Sequence, residues 1–415
     1  MSTFTTRQST RRRPVHGLPG WLVVLLAVAA GMTVANLYYA QPLLASISDL
    51  FRISTASAGA LITVTQLGYV AGMLFLVPLG DRIEKRRLIT ILLAVTTVAL
   101  VVAGTAPAFP VLVIASLVAG ATSVVAQIVV PLAAGLATDE ARGRVVGRVM
   151  SGLLTGILLS RTVSSVVSDL AGWRVVYLGS AVLTVLLAVA LRAALPTHGA
   201  TTNLPYLAVL RSTAQLARTH PALRRRGLYQ AAMFGTFSAF WTTISFVLTG
   251  PGFHYSELGI GLFALVGAAG AAVAPLAGRW ADRGLSHPLT GAAFVVAAVG
   301  AVLAGVGQHS VILLALAAIL IDTAVQTSLI LGQHTIYALD EGARARLNSV
   351  FIATFFIGGA AGSQFGSIAY HMGGWTALTV LSAALPILAL GYWATERRGR
   401  RTGSPDVLQQ RGDRR

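Results

Sequence analysis

Two ionisable side chains, Arg161 and Asp322, lie within stretches that are otherwise apolar, and this placement restricts the chemistry open to them. A charged group inside a hydrocarbon layer is costly unless water or a partner reaches it, so such residues mark ion and proton pathways. A carboxylate that takes up and releases a proton, beside a guanidinium whose approach changes the favoured form, would make a proton carrier. A static structural ion pair is the other use of the same two groups. Other chemistries lack their residues. The 415 residues include no cysteine, which removes thiol ligands, disulfides and thiol nucleophiles. No H-E-x-x-H zinc motif, G-x-S-x-G nucleophile elbow or phosphate-binding P-loop occurs, so we expect neither enzyme activity nor a bound metal or cofactor. His254 and His309 are not spaced as metal ligands and read as loop histidines.

The elements that must position Arg161 and Asp322 are membrane helices. Only 11% of the residues are charged and 55% are hydrophobic. No Asp, Glu, Lys or Arg occurs from Pro14 to Ser48, Leu88 to Thr138, Gly284 to Ile321 or Leu347 to Thr395. A hydrocarbon layer about 30 Å thick takes about 20 apolar residues of helix, since lipid offers backbone amides no partner. The charge gaps and Gly/Pro breaks predict an all-α integral membrane fold of twelve spans, at 21–43, 57–80, 88–105, 109–136, 146–168, 175–194, 227–249, 257–279, 288–306, 310–336, 348–370 and 376–395. At about 1.5 Å per residue, Asp322 falls roughly 18 Å from one end of its helix and Arg161 roughly 10 Å from the corresponding end of its own. Direct pairing across that depth gap needs a long arginine reach or a bridging water.

The spans form two bundles of six. We read 1–20 as a tail, 21–195 as the first bundle, 196–226 as a polar linker with an amphipathic helix around 204–218, 227–395 as the second bundle and 396–415 as a basic tail. All but three of the 31 Lys and Arg fall on one side of this arrangement, the exceptions being Arg52, Arg161 and Arg174. Retained basic residues mark cytoplasmic loops, which puts both termini in the cytoplasm of a bacterial inner membrane. The net charge of +17 then reflects topology and contact with anionic lipid, not a nucleic-acid partner. The halves also repeat. Asp81-Arg82 and Asp282-Arg283 lie 201 positions apart, as do Asp139-Glu140 and Asp340-Glu341, while Gly172-Trp173 and Gly374-Trp375 lie 202 apart. A repeat of six spans is the trace of a secondary transporter whose halves rock about a site near the bilayer midplane.

From about Trp21 to Thr395 the chain resembles the major facilitator superfamily. That family carries G-x-x-x-D-R-x-G-R-R between its second and third spans, and the loop here runs Val77-Pro78-Leu79-Gly80-Asp81-Arg82-Ile83-Glu84-Lys85-Arg86-Arg87, with Val77 and Glu84 in place of the glycines. A second copy, Gly278-Arg279-Trp280-Ala281-Asp282-Arg283-Gly284, keeps the first glycine. The fifth span also resembles the drug and sugar efflux branch in the spacing of Gly143, Gly152 and Gly156, although Ile157 replaces that branch's proline, Ser160-Arg161 its final glycines and Ser116 its fourth-span arginine.

The resemblance implies that spans one, four, seven and ten surround a cavity. Candidate cavity residues are then Asn36, Tyr39, Gln41, Ser123, Gln127, Gln230, Phe234, Trp241, Gln326 and Gln333, with Asp322 and Arg161 as the proton-coupling pair. Phe234, Phe237 and Trp241 fall on one helical face, where an aromatic wall would suit ring-bearing solutes; packing is the plainer use of such a stripe. Interhelical hydrogen bonding is likewise the plainer use of each amide. Asp81, Arg82, Arg86, Arg148, Asp282, Arg283 and Arg346 are candidate gate residues, with Arg142, Arg148 and Arg346 as possible partners of the two aspartates. Gly152, Gly156, Gly358 and Gly362 are candidates for close helix packing. The implied function is export of small organic solutes or drugs by alternating access in antiport with protons, by a chain expected to work as a monomer. An uptake symporter is the alternative on the same scaffold, and a membrane-embedded sensor or enzyme is the alternative outside transport.

Overall fold

The structure, a computed structural model, describes residues 18–196, 205–340 and 343–402. All elements among them are helical. Span one divides into α1 (Gly20–Ala35) and α2 (Ala40–Phe51), and span two runs from α3 (Thr55–Ala71) through a π turn at Gly72–Leu76 and a 3-10 turn at Val77–Asp81. Span three is α4 (Lys85–Gly104), and span four divides into α5 (Phe109–Thr122) and α6 (Val125–Leu136). Spans five and six are α7 (Asp139–Ala171) and α8 (Trp173–Ala194). The amphipathic α9 (Tyr206–Thr219) leads into span seven, α10 (Pro221–Thr249). Span eight breaks into α11 (Glu257–Ala264), α12 (Gly267–Ala271) and α13 (Ala274–Asp282). Spans nine and ten are α14 (Ser286–Val306) and α15 (Val311–Tyr337), and α16 (Arg344–Thr402) supplies spans eleven and twelve.

The helices of the second span and the eighth begin alike. Ser54 accepts the Ser57 N–H at 3.1 Å and Ser256 accepts the Gly259 N–H at 3.4 Å, each satisfying an orphan amide at the first turn. The repeated Gly-Trp pairs also gain a reason. Gly172 at φ +84° separates α7 from α8, and Gly374 at φ +63° turns the chain inside α16, a conformation that only glycine adopts cheaply. The tryptophan after each is buried, and the Trp375 indole donates to Ala304 O at 2.8 Å. The reversal returns α16 to the face it left: His371 lies by Thr55, while Glu396 reaches Arg226 at 3.5 Å.

Proline explains two of the breaks. Pro42 lacks the N–H that would bond Tyr38 O, and residues 36–39 form tight turns through Leu37 N–H to Val34 O and Tyr38 N–H to Ala35 O. Pro78 follows the π turn of span two in the same way. Within each bundle, glycine lets helices touch backbone to backbone. Gly31 of α1 faces Gly152 and Gly156 of α7, and Gly235 of α10 faces Gly358 and Gly362 of α16. These four packing glycines of spans five and eleven therefore sit against the same neighbours in the two halves. Apolar residues such as Val98, Ile114, Leu186, Val306, Val380 and Leu388 point outward, as a lipid-facing belt requires.

Candidate functional site

The breaks in spans one and four meet. Asn36, at the end of α1, donates from Nδ2 to Ser123 Oγ at 3.1 Å, and Ser123 closes α5. Ser180 of α8 donates to Asn36 Oδ1 at 3.1 Å and to Tyr39 Oη at 3.3 Å. This cluster fixes Tyr38 within the turn and Gln41 just after it. Gln41 accepts from Arg161 Nε at 2.7 Å. The guanidinium then lies over three rings, with its carbon 5.2 Å from the Tyr38 centroid, 5.1 Å from Phe237 and 4.5 Å from Trp241. Each ring face adds a favourable interaction of about 0.5–2 kcal/mol, which offsets part of the cost of burying the cation. Arg161 Nη2 is buried and has no hydrogen-bond partner.

Asp322 stands on the other side of Trp241. The indole N–H donates to Asp322 Oδ1 at 2.9 Å. No ion pair within 4.0 Å joins Asp322 to Arg161, although each lies within electrostatic reach of the other. The separation expected from their depths is thus bridged by a side chain, not by direct contact. Span eight completes the enclosure. A Cβ on Gly267 would meet Asp322 Oδ2 at 2.6 Å, and one on Gly270 would meet Asp322 itself, so only a glycine-bearing, broken helix lets the backbone pass so close to the carboxylate.

Arg161 and Asp322 lie at the deep end of a cavity of about 620 Å³, within the range of small-molecule sites. From them it widens past Gln127, Gln326 and Gln333 to Lys85, Arg344 and Arg346 at the arginine-rich face. Its side is a wall of rings: Phe234 stacks on Phe237 at 5.1 Å and on Phe355 at 3.7 Å, and Tyr69 meets Phe356 at 4.6 Å. Towards the opposite face the halves are tied together. Thr162 donates to Gly261 O at 2.9 Å, Thr63 to Ala360 O at 3.2 Å and Gln66 to Ser238 Oγ at 3.0 Å, and Ser46 donates to Glu257. A chamber open at one face and sealed at the other, between two similar bundles, is one state of an alternating carrier.

The family model of the Major Facilitator Superfamily matches residues 23–336. The chain belongs to that superfamily. It is similar to the transporter YgaY of Escherichia coli O157:H7, 41% identical over 381 residues that cover 92% of this chain and 97% of that protein. It is also similar to the transporter SCO4007 of Streptomyces coelicolor, 35% identical over 390 residues, 94% of this chain and 90% of that one. Among solved structures, a bacterial homologue of the human lysosomal transporter Spinster superposes with a TM-score of 0.72 at 13% identity, over 90% of this chain and 95% of that one. The chain is therefore a multi-pass membrane transporter of the twelve-helix superfamily fold.

Within that superfamily fold, the residues singled out from sequence fall into separate groups. Gln127, Phe234, Gln326, Gln333, Asp322, Arg161 and Arg346 line the cavity. Asn36, Tyr39, Ser123 and Gln41 do not: Asn36 bonds Ser123 and Ser180, Tyr39 accepts from Ser180, and Gln41 serves Arg161. Gln230 is buried and donates to Val325 O at 3.4 Å. Trp241 touches Arg161 and Asp322 from behind. Of the gate residues, Asp282 lies 3.7 Å from His334 on span ten, in place of the arginines expected. Arg86 donates to Leu195 O at 3.1 Å and Arg142 to Ala134 O at 3.2 Å. The side chain of Asp81 is outside the described set. Sequence reasoning missed Tyr38, Tyr69, Phe355 and Phe356. The linker helix was expected around 204–218, but its place at the cavity was not: Val209 and Thr213 border the cavity, and Tyr206 donates to Phe75 O at 2.6 Å. The aromatic pair at Phe355-Phe356 and the Tyr38-Tyr39 pair beside Pro42 were the available signals.

Proposed function

We propose that this transporter moves small organic solutes by alternating access, coupled to protons that Asp322 carries. The observation that supports it best is the setting of Asp322, a buried carboxylate at the blind end of a solute-sized cavity. With the arginine-rich face assigned to the cytoplasm of a bacterial inner membrane, the chamber is inward-open. A carboxylate there loads or loses a proton from the cytoplasm, and does so from the other side once the bundles rock. Export by proton antiport, the direction suggested by the fifth-span glycines, has the solute and the proton use the cavity in turn. Uptake by proton symport is the second reading. It is favoured by Arg161, whose unpartnered Nη2 stands near Asp322, so that neutralising the carboxylate leaves the cation for a solute.

The test uses the purified chain in liposomes with an imposed pH gradient. A solute screen identifies a substrate, and Asp322→Asn is then compared with the wild type. The variant is expected to bind the substrate and exchange it across the membrane, but not to accumulate it against a gradient. Uphill accumulation by a well-inserted Asp322→Asn protein, with unchanged pH dependence, would remove Asp322 from the coupling role.

A further inference from the structure

We infer that the solute taken by this cavity is an amphipathic organic anion, its acidic group held by Arg161 and its apolar ring body laid along the Phe237–Phe234–Phe355 stack. The inference rests on the proposed carrier reading for the site, and it adds the class of substrate. Its first support is charge. Among the described residues the cavity wall carries four basic side chains, Lys85, Arg161, Arg344 and Arg346, and one acidic side chain, Asp322. The three at the mouth also serve membrane orientation, so the decision falls to Arg161 at the blind end.

Arg161 is built as an anion receptor. A guanidinium offers five N–H donors in a fork that matches a carboxylate or phosphate edge. Only one side-chain hydrogen bond, from Nε to Gln41, is made among the described residues; Arg161 lines the cavity but is 3% exposed, and its Nη2 is buried and unanswered in this state. An unanswered buried donor is costly, and a guanidinium that turns toward an oxyanion in the cavity recovers that cost with a charge-assisted bond. A cationic solute has the reverse problem. The ring faces of Tyr38, Phe237 and Trp241 nearest Asp322 already hold the guanidinium, and Oδ1 of Asp322 already accepts the indole N–H.

The rest of the solute is specified by the stack. Phe237 lies under the guanidinium and stacks on Phe234 at an interplanar angle of 19°, and Phe234 stacks on Phe355 at 15°. A flat apolar body attached to the anion therefore runs beside a continuous row of aromatic side chains that border the cavity. Edge-to-face contact and burial both favour such a body over a hydrated sugar.

Three probes of equal ring size test this with the full chain in lipid nanodiscs: 2-naphthoate, 2-naphthylmethanol and 2-naphthylmethylammonium. Binding is read by calorimetry. The anion is expected to bind on the order of tenfold or more tighter than the alcohol, as a charge-assisted bond implies, and the ammonium more weakly than either. In Arg161→Gln the ratio of anion to alcohol affinity should fall towards one, and in Arg161→Lys it should be partly restored. If Arg161→Gln does not insert, the wild-type series decides alone. Tighter binding of the ammonium, equal binding of all three or binding of none overturns the inference. None of these outcomes involves proton coupling, so failure here leaves the Asp322 test standing, and failure of that test leaves the charge preference standing.

Discussion

Trp241 serves Arg161 and Asp322 with different parts of one indole: its ring carries the guanidinium at 4.5 Å, and its N–H donates to the carboxylate at 2.9 Å. Movement of α10 relative to either partner therefore changes the environment of both. Trp241→Phe keeps a ring for Arg161 and deletes the donor to Asp322. A hydrogen bond to a charged group contributes about 1.5–3 kcal/mol. The variant should melt at lower temperature, and its solute-driven proton movement in liposomes should slow on the order of tenfold. Arg161 contacts should survive, so the anion preference of the binding series should remain.

Much of the fold was legible because lipid makes strict demands. Charge gaps and Gly/Pro breaks gave twelve spans, a number the helices of the fold are consistent with, and the Asp-Arg and Gly-Trp pairs recur in both halves. The interruptions at 36–39, 123–124 and 265–266 were not foreseen, because apolar runs there continue without a charge and the period of the pattern does not change. Pro42 was the local sign of the first. Arg161 and Asp322 stood out as charges in apolar helices, but Arg161 meets Gln41 across 120 positions and Trp241 meets Asp322 across 81. Such pairings depend on how each helix is rotated in its bundle, and no local pattern encodes that.

The glycine contacts inside the bundles predict matched losses. Gly156 lies against the backbone of Gly31, and Gly362 against that of Gly235, so an added side chain has only main chain to push. Gly156→Val and Gly362→Val should each cost about 1–3 kcal/mol or more through overpacking. Thermal unfolding of the purified variants should show similar drops for the two, whereas Gly179→Val, with nothing within 4 Å of its Cβ position, should melt like the wild type.

Between the bundles, glycine has a different task. Gly59 of α3 faces Ser367 of α16, and Gly261 of α11 faces Ser165 of α7, where an added Cβ would meet the serine Cβ at 2.6 Å. The two seats lie 202 positions apart on both partners and close the arginine-poor side. Gly59→Val and Gly261→Val should each hold that side open. With a single cysteine at Ser238, buried here behind the seal, a water-soluble thiol reagent should label these variants at least several-fold faster from the arginine-poor side than the wild type. Unchanged labelling would mean that the seats yield without moving the helices.

The pH dependence of anion binding separates the two directions of coupling. Among the described residues, Asp322 is the acidic group of the cavity wall, and the charged or titratable side chains facing it are Arg161 from α7 and Tyr38 from the turn after α1. A guanidinium and a phenol keep their usual forms near neutrality, so the carboxylate is the group that changes. Protonating it removes a negative charge beside Arg161, and an oxyanion at Arg161 in turn favours the proton. By linkage the two effects are equal in size, so anion affinity should rise as pH falls. Calorimetry of 2-naphthoate binding at several pH values should show this rise in the wild type and a flat profile in Asp322→Asn. Ligands that assist each other's binding cross together, so that outcome would favour the second reading, proton symport, over antiport. Affinity that instead falls with pH would mean that proton and solute exclude each other, which is the requirement of antiport.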